Sequence, residues 1–427
     1  MKSTIVSVKG REVFTGRGHP GVEAIVTTKC GAVGSAICTA GVSIGTHEVP
    51  FAYDGGEKWR GKGVMRAVNA VNEKIAPALI GMDSTKQTDI DAVMLGIGKD
   101  VLGGNATGAV SAAVLKVGAA SLGIPLYQHI GGASAYTLPV PGVGCLTGSG
   151  RYGDHLKKSG PKPTVVFQGY DFSSFSEASY ALWDLEDRWS SVIREKLGGG
   201  AGGHAIPAGI VKSDTEIWDL AAETIAKCGY ENKIGLCIDV ASDTYFNKET
   251  QKFEGLFDFT PRTMDELFAF LVEMPKKWPF VIMEDPLPED DYEMTRKLTR
   301  AVDIQVTGDD LFTTNAARLI EGIKYGAANS VLLKVNQIGT ITEAFDMVNL
   351  AYQNDYGIMP CPSRGEGPEI ADYAVGLKAG SITVSGTGPI ANRFLQIEEE
   401  LGSRARFAGK HGLKGARFSL RNSLLTT

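Results

Sequence analysis

The sequence lacks the features that mark several large classes of protein. Its 427 residues contain no block of Lys and Arg, and the net charge is −6, so the basic surface that nucleic-acid binding needs is not expected. No apolar run approaches the ~18 residues of a membrane span, and the first residues become charged before a signal-peptide core could form. We therefore expect a soluble protein that binds neither nucleic acid nor membrane.

Cysteine is scarce, and its spacing is irregular. The six cysteines are scattered along the chain without a CxxC pair. In a chain of this length, that usage indicates free thiols in a reducing compartment, and not a disulfide framework or a zinc site. A hydrophobic content of 43% with 22% charged residues excludes a disordered or fibrous chain. We expect a cytoplasmic globular protein, and an enzyme.

The first part of the chain, residues 1–135, has the pattern of a small α+β domain. Short β-type runs come first, and longer segments with apolar residues at helical spacing follow them. The predicted strands are 4–8, 22–28 and 32–40, and the predicted helices are 64–79 and 106–122. This order predicts a small antiparallel sheet with helices packed on it.

The remainder, residues 136–427, repeats strand-like and helix-like segments. The predicted strands are 138–145, 164–168, 234–239, 280–284, 304–307, 330–334, 357–361 and 382–385. The later strands follow one another at intervals of roughly 23 to 28 residues, which is typical of parallel βα units. Eight such strands predict a TIM-like α/β barrel, with a doubly wound sheet as the alternative.

Charged residues end four of these strands. Asp239, Glu284, Asp309 and Lys334 follow apolar runs at spacings of 45, 25 and 25 residues. In a barrel they would meet at the C-terminal mouth. One charge at a strand end is usually solvated, but three carboxylates in one cavity repel each other unless a cation lies between them. Oxygen ligands select a hard ion, so the three acids predict a Mg²⁺ site.

Lys334 would face this site from the next strand. Burial beside a divalent cation would lower the pKa of its ammonium, which predicts a general base. Removal of a proton α to a carboxylate leaves an ene-diolate whose charge a metal ion can stabilise. The glycine-rich stretch 198–203 is a phosphate cradle, a flexible active-site loop or a plain connection. The phosphate cradle is the less favoured of these, because the stretch does not follow the GxxxxGK[ST] pattern.

Several longer motifs point to one family. They include Gly308-Asp309-Asp310-Leu311-Phe312-Thr313-Thr314-Asn315 and Leu333-Lys334-Val335-Asn336-Gln337-Ile338-Gly339, together with residues 10–13, 17–23, 41–45, 61–64 and 397–402. Over nearly its whole length the chain resembles enolase (phosphopyruvate hydratase), in whose superfamily a lysine or histidine base works with Mg²⁺.

The resemblance implies roles for individual residues. Asp239, Glu284 and Asp309 would be the high-affinity Mg²⁺ ligands, and Lys334 the proton acceptor. Ser43 falls in the family's mobile loop, where it would help to close over the substrate and supply a ligand to a second Mg²⁺. A homodimer or a larger homo-oligomer is also implied.

A further family residue, Gln168, is implied to lie near the substrate. Other positions depart from the family pattern. A glutamate that helps to expel the substrate hydroxyl is replaced by Ala201, a second glutamate by Gly169, the loop histidine by Arg151, and a substrate-binding lysine by Ile390, while the phosphate-binding arginine stretch reads Cys361-Pro362-Ser363-Arg364. The metal-and-base half of the site is therefore retained, and the leaving-group and phosphate half is changed.

These departures predict a changed substrate. Loss of a general acid typically costs ~10²–10⁴ in rate, so we expect poor dehydration of 2-phosphoglycerate and activity on another small carboxylate with a phosphate- or phosphonate-like group. Arg151 and Arg364 are the candidates for binding that anion, and His204 for replacing the lost acid, although a structural role for a lone histidine is equally open. The alternatives are a phosphopyruvate hydratase with altered auxiliary residues and a non-catalytic scaffold.

Overall fold

The computed structural model of the chain describes residues 1–16, 18–41, 44–148, 152, 162–198, 206 and 209–419. Within these residues, no single helix has both the length and the apolar composition to cross a membrane. The helices Gly104–Leu122 and Leu126–Ser134 reach that criterion only as a pair, and they meet at an angle of 97°.

The N-terminal part is a three-stranded antiparallel meander with helices on one face. Its strands are β1 (Ile5–Phe14), β2 (Pro20–Thr28) and β3 (Val33–Cys38), and its helices are α1 (Met65–Asn69), α2 (Ala76–Leu79), α3 (Gln87–Ile97), α4 (Lys99–Leu102), α5 (Gly104–Leu122) and α6 (Leu126–Gly131), with a π-helical turn at Ala70–Ile75 between α1 and α2. The predicted sheet and helices are thus confirmed. Strand β1 is longer than predicted, because residues 9–14 continue the pairing with β2 beyond the apolar run.

Helix α5 lies against this sheet and is buried on almost every side. The sequence permits this close packing because the strand facing it carries a glycine. A Cβ atom at Gly34 would lie 2.5 Å from the carbonyl oxygen of Ala113, a distance that real Cβ atoms do not show. Any other residue at this position would therefore push the helix away from the sheet.

The C-terminal part is the predicted α/β barrel. Its eight-stranded sheet has the order β13-β12-β11-β10-β7-β6-β5-β14. The strands are β4 (Thr137–Leu138), β5 (Val140–Thr147), β6 (Thr164–Gly169), β7 (Ile234–Asp239), β8 (Phe246–Asn247), β9 (Lys252–Phe253), β10 (Phe280–Glu284), β11 (Gln305–Gly308), β12 (Ser330–Leu333), β13 (Gly357–Pro360), β14 (Ser381–Val384) and β15 (Arg406–Phe407). The helices are α7 (Phe175–Leu197), α8 (Asp214–Lys227), α9 (Met264–Lys277), α10 (Tyr292–Ala301), α11 (Ala316–Tyr325), α12 (Val335–Ile338), α13 (Ile341–Gln353), α14 (Ile370–Gly376) and α15 (Gly388–Leu401).

One barrel strand runs against the others. The strand β6 is antiparallel to both of its neighbours, β5 and β7, whereas the spacing that predicted parallel βα units was that of the later strands. Only the 16 residues 148–163 separate β5 from β6, and antiparallel neighbours need no crossover helix. The start of β6 therefore lies at the same end of the barrel as the ends of the parallel strands.

Local sequence signals fix where several barrel helices begin. The side chains of Ser213 and Thr263 accept hydrogen bonds from backbone amides of α8 and α9, and Glu216 and Glu266 complete two capping boxes. Each such cap contributes about 1 kcal/mol. The alternation of strand and helix that was read from hydrophobic periodicity therefore has a second, independent basis in the sequence.

The two parts of the chain are joined by a buried polar cluster. Asp91 of α3 accepts hydrogen bonds from Ser111 Oγ at 2.6 Å, and from the backbone amide and hydroxyl of Thr342 at 2.9 and 2.6 Å. Thr342 belongs to the barrel helix α13. Nearby, Lys99 Nζ donates to Glu343 Oε1 at 2.8 Å. These contacts fix the position of the N-terminal part relative to the barrel mouth.

We expect Asp91→Ala to lower the free energy of unfolding by about 2–4 kcal/mol, because it leaves the buried donors of Ser111 and Thr342 without acceptors. Urea denaturation followed by circular dichroism measures this change. Asp346→Ala, at an exposed position of α13, is the matched control and should change the stability by less than about 0.5 kcal/mol. Equal effects of the two substitutions would show that the cluster does not stabilise the join.

Candidate active site

Four charged residues meet at the C-terminal mouth of the barrel. Asp239 and Glu284 are the last residues of β7 and β10, where they are register partners. Asp309 and Lys334 directly follow β11 and β12. Asp239, Glu284 and Lys334 line a cavity of about 450 Å³. The structure thus brings together the residues that the strand-end pattern singled out.

A small hydrogen-bond network holds Lys334 in the wall of this cavity. Its ammonium contacts Asp309 Oδ2, and Gln337 Nε2 donates to the other oxygen of the same carboxylate at 2.8 Å. The backbone amide of Lys334 donates to Thr314 Oγ1 at 3.0 Å. Lys334 and Asp309 are only 6% and 3% exposed. The position of the ammonium is therefore set by both its side-chain and its backbone contacts.

The ion pair between Lys334 and Asp309 shifts the pKa values of both groups. Burial alone would lower the pKa of Lys334, but the neighbouring acidic groups, Asp309 foremost, together outweigh it, and the pKa of Lys334 is raised above its ordinary value. Burial would raise the pKa of Asp309, but Lys334 outweighs it, so that pKa is lowered. A lowered pKa was predicted for Lys334 from its burial beside a divalent cation. The difference arises because the ammonium is paired with Asp309, one of the predicted metal ligands.

Glu284 lies beside Asp309, and no salt bridge to Glu284 is found within the described residues. Burial raises the pKa of Glu284 to about 7, and the neighbouring charge of Asp309 adds to the shift. The two carboxyl groups are close enough to share a hydrogen bond, which is favourable only with a proton or a cation between them. An all-oxygen donor set of this kind fits a hard divalent ion such as Mg²⁺.

The third predicted ligand, Asp239, is paired with a lysine that the sequence analysis missed. Lys162 Nζ contacts Asp239 Oδ2, and the two side chains are 13% and 15% exposed. Within the described residues, two groups have three potential ligand atoms within 4.8 Å of one another, namely Asp285 with Asp309 and Asp310, and His47 with Glu289 and Asp290. Asp239, Glu284 and Asp309 do not form such a group, so their ligand atoms do not all lie within 4.8 Å of one another.

Asp285 supports the backbone behind these ligands. Its carboxylate accepts hydrogen bonds from the amides of Asp309 at 2.9 Å and Asp310 at 2.7 Å. Burial raises the pKa of Asp285, and the charge of Asp310 adds to this. These bonds fix the turn that follows β11 and hence the direction of the Asp309 side chain.

Arg364 lines the cavity, but its charge is already compensated. Its Nη1 donates to Glu48 Oε2 at 2.7 Å, and its Nη2 donates to the other oxygen. The arginine is 1% exposed. Burial would lower the pKa of Arg364, but Glu48 outweighs it and raises that pKa. The guanidinium of Arg364 was predicted to bind a substrate anion. In the structure it binds instead the carboxylate of Glu48, a residue of the N-terminal part.

The geometry does not support the prediction for Gln168. It is fully buried inside the barrel, where its Nε2 donates to the carbonyl oxygen of Ile382 at 3.1 Å, and it does not line the cavity. Because β6 is antiparallel, Thr164 is the register partner of Asp239 at the mouth. Gln168 follows four residues deeper, about 13 Å along the strand.

Three predicted residues lie outside the described part of the chain: Ser43, Arg151 and His204. Ala201 lies outside it as well. Ile390, the residue predicted to replace a substrate-binding lysine, lines the cavity.

The remaining wall of the cavity is largely apolar. Val166, Val384 and Ile390 contribute to it. In the described lining, the cations are Lys162, Lys334 and Arg364, and each of them has a carboxylate partner.

Comparison with known proteins gives matches to both parts of the chain. A family model described as the enolase N-terminal domain matches residues 5–130, and one described as the enolase C-terminal TIM barrel domain matches residues 135–416. A protein named Enolase from Pyrococcus furiosus is 40% identical, covering 95% of this chain and 97% of the relative. Relatives of the same name from Methanopyrus kandleri and Methanococcus aeolicus are 39% and 38% identical, covering 95% of this chain and 98% and 97% of their own lengths.

We expect Glu48→Gln to lower the free energy of unfolding by about 3 kcal/mol, because it leaves the guanidinium of Arg364 buried without its bidentate partner. Guanidinium chloride denaturation measures the change. Glu273→Gln, which breaks an exposed ion pair with Lys276, is the control and should cost less than about 0.5 kcal/mol. If Glu48→Gln is no more costly than this control, the pair does not tie the two parts together.

Proposed function

The chain belongs to the enolase family, and we propose that it is a carbon–oxygen lyase whose reaction begins when Lys334 removes the α-proton of a small anionic carboxylate. The observation that carries this proposal is the buried Lys334 beside three strand-end carboxylates, in a cavity of about 450 Å³. A base in this place reaches a bound acid from the floor of the cavity. Lys334 is only 6% exposed, so little solvent reaches the base.

Asp239, Glu284 and Asp309 would hold Mg²⁺, which when bound would stabilise the negative charge that develops on the substrate carboxylate. Lys334 acts from the position that Thr314 and Gln337 give it. With Mg²⁺ bound, the charge of Asp309 would be compensated by the ion and no longer by Lys334. Burial then favours the neutral amine of Lys334, the form that accepts a proton. The same side chain, protonated, then holds that proton at Nζ while the leaving group departs.

The first candidate reaction is that of phosphopyruvate hydratase, the conversion of 2-phosphoglycerate to phosphoenolpyruvate and water. The relatives named Enolase, at 38–40% identity over nearly the full chain, favour it. They do not support the expectation that the substitution at Ala201 and its neighbours makes this activity poor.

A second candidate is the same proton abstraction on another small acid. Two observations favour it: the guanidinium of Arg364 is engaged by Glu48, and the wall at Ile390 and Val384 is apolar. A phosphate group would therefore find little free positive charge among the described residues of the lining. A non-catalytic scaffold is the least favoured reading, because it gives no reason to bury Lys334 among carboxylates.

We expect Lys334→Ala to reduce exchange of the substrate α-proton with solvent deuterium by at least ~10³, because no other described group occupies its position as a base. Proton NMR in D₂O with Mg²⁺ and 2-phosphoglycerate measures the exchange, and removal of the ion with EDTA should stop it. Lys248→Ala, an exposed lysine near the mouth, should retain the wild-type rate. Circular dichroism must show that both variants are folded. Exchange that persists in Lys334→Ala would exclude this residue as the base.

The two candidate reactions differ in what is formed. We expect the wild-type protein to form phosphoenolpyruvate from 2-phosphoglycerate, followed by enolpyruvate absorbance, if it is a hydratase. A panel of other 2-substituted carboxylates is tested beside it by deuterium exchange. Exchange dependent on Lys334 with another acid, without formation of phosphoenolpyruvate, would establish the second candidate. Turnover of 2-phosphoglycerate at the rate of a typical enolase would exclude it.

The homodimer or larger homo-oligomer implied by the family resemblance stays a prediction. Light scattering coupled to size-exclusion chromatography gives the molar mass, to be compared with the 45.4 kDa of one chain.

A further inference from the structure

Lys162 is fixed at the mouth by the direction of β6. It precedes Thr164, whose register partner across the sheet is Asp239. Its carbonyl oxygen accepts a hydrogen bond from the hydroxyl of Tyr245. The backbone is thus anchored independently of the side chain, and the side chain lines the same cavity as Lys334.

Lys162 and Lys334 each form an ion pair with a different strand-end aspartate. Lys162 compensates Asp239, and Lys334 compensates Asp309. Both ammonium groups are largely buried, so the two contacts are poorly screened by solvent. Among the described residues, no ammonium contacts Glu284, on the strand beside Asp239.

A divalent ion and the ammonium of Lys162 need the same carboxylate. We propose that Lys162 is a positioning residue that competes with the divalent metal ion for Asp239. This inference rests on the proposed function, because it takes Asp239 as a metal ligand. An oxygen in close contact with an ammonium can ligate a metal ion fully only after the ammonium moves away, and two adjacent cations repel each other. Lys162 therefore weakens the binding of the metal ion in the absence of substrate.

The competition gives Lys162 a second position. An ammonium released from Asp239 remains in a cavity whose wall at Ile390 carries no charge. Glu284, whose raised pKa is partly lowered by the charge of Lys162, is itself a proposed metal ligand, so the partner left to the ammonium there is an anionic group of the substrate. Metal ion and substrate anion are then coupled, because each makes room for the other, and metal binding is strongest when the substrate is present.

The test measures metal binding without any turnover. Mn²⁺ is titrated into the wild-type protein and into Lys162→Met, Lys162→Arg and Lys248→Met at one pH, and free Mn²⁺ is followed by electron paramagnetic resonance. We expect the Kd of Lys162→Met to be at least tenfold lower than that of the wild type. Lys162→Arg should stay near the wild type because it keeps the charge, and Lys248→Met should stay within twofold.

The direction of the change separates this role from a structural one. Methionine keeps the aliphatic stem, and the bond from Tyr245 is to the backbone, so the local fold is retained. A damaged fold would bind Mn²⁺ more weakly, whereas the expected effect is tighter binding. Adding Asp239→Asn to Lys162→Met should remove the gain, which places it at this carboxylate.

Two results would overturn the inference: an unchanged or higher Kd in Lys162→Met, or the absence of Mn²⁺ binding in every variant. Binding in Lys162→Met alone would support it. The proposed function fails separately. If Lys162→Met binds more tightly but no acid exchanges its α-proton, the competition stands and the lyase proposal falls. If exchange occurs and the affinities are equal, only the competition falls.

Discussion

The mouth of the barrel depends on how its buried carboxylates are compensated. Asp309 is compensated by Lys334, Asp239 by Lys162, and Asp285 by two backbone amides. Removal of one partner from such a pair leaves a buried charge and typically costs 3–5 kcal/mol. Each acid is therefore kept in place by a donor on a different strand or turn. The geometry of the mouth is consequently a property of the whole set, and a change at one strand end affects the others.

The network of contacts that compensates charge at the mouth extends beyond the barrel. Glu48, from the N-terminal part, binds Arg364 and accepts a hydrogen bond from the amide of Gly45 at 3.1 Å. Gln337 joins the two sides, because its backbone carbonyl accepts from Val49 N at 2.8 Å while its side chain donates to Asp309. The ion pair of Glu48 and the ligand set thus share neighbours. The N-terminal part is a component of the site and not only a cover for it.

The sequence predicted the fold class and the residues that end parallel strands, but not every residue of the site. Asp239, Glu284 and Asp309 could be found because βα repeats place strand ends at one edge, whatever the side-chain packing. Lys162 was missed because hydrophobic periodicity locates a strand without giving its direction, and β6 runs the opposite way. The family resemblance alone suggested Gln168, and the reversed strand places it inside the barrel, away from the mouth. Glu48 lies in a segment without periodicity, so no pattern indicated its partner. Pairing across 316 positions is a product of the tertiary fold.

The reversed strand also has a consequence for how the family's barrel can diverge. The two ends of the connection between β5 and β6 meet at the mouth, where Gly148 N donates to the carbonyl oxygen of Pro163 at 2.9 Å. The cost of closing a loop grows only slowly with its length, so residues can be gained or lost between these ends without disturbing the barrel. A connection with one end at the cavity, at Lys162, is a natural place for new substrate preferences to arise on an unchanged scaffold.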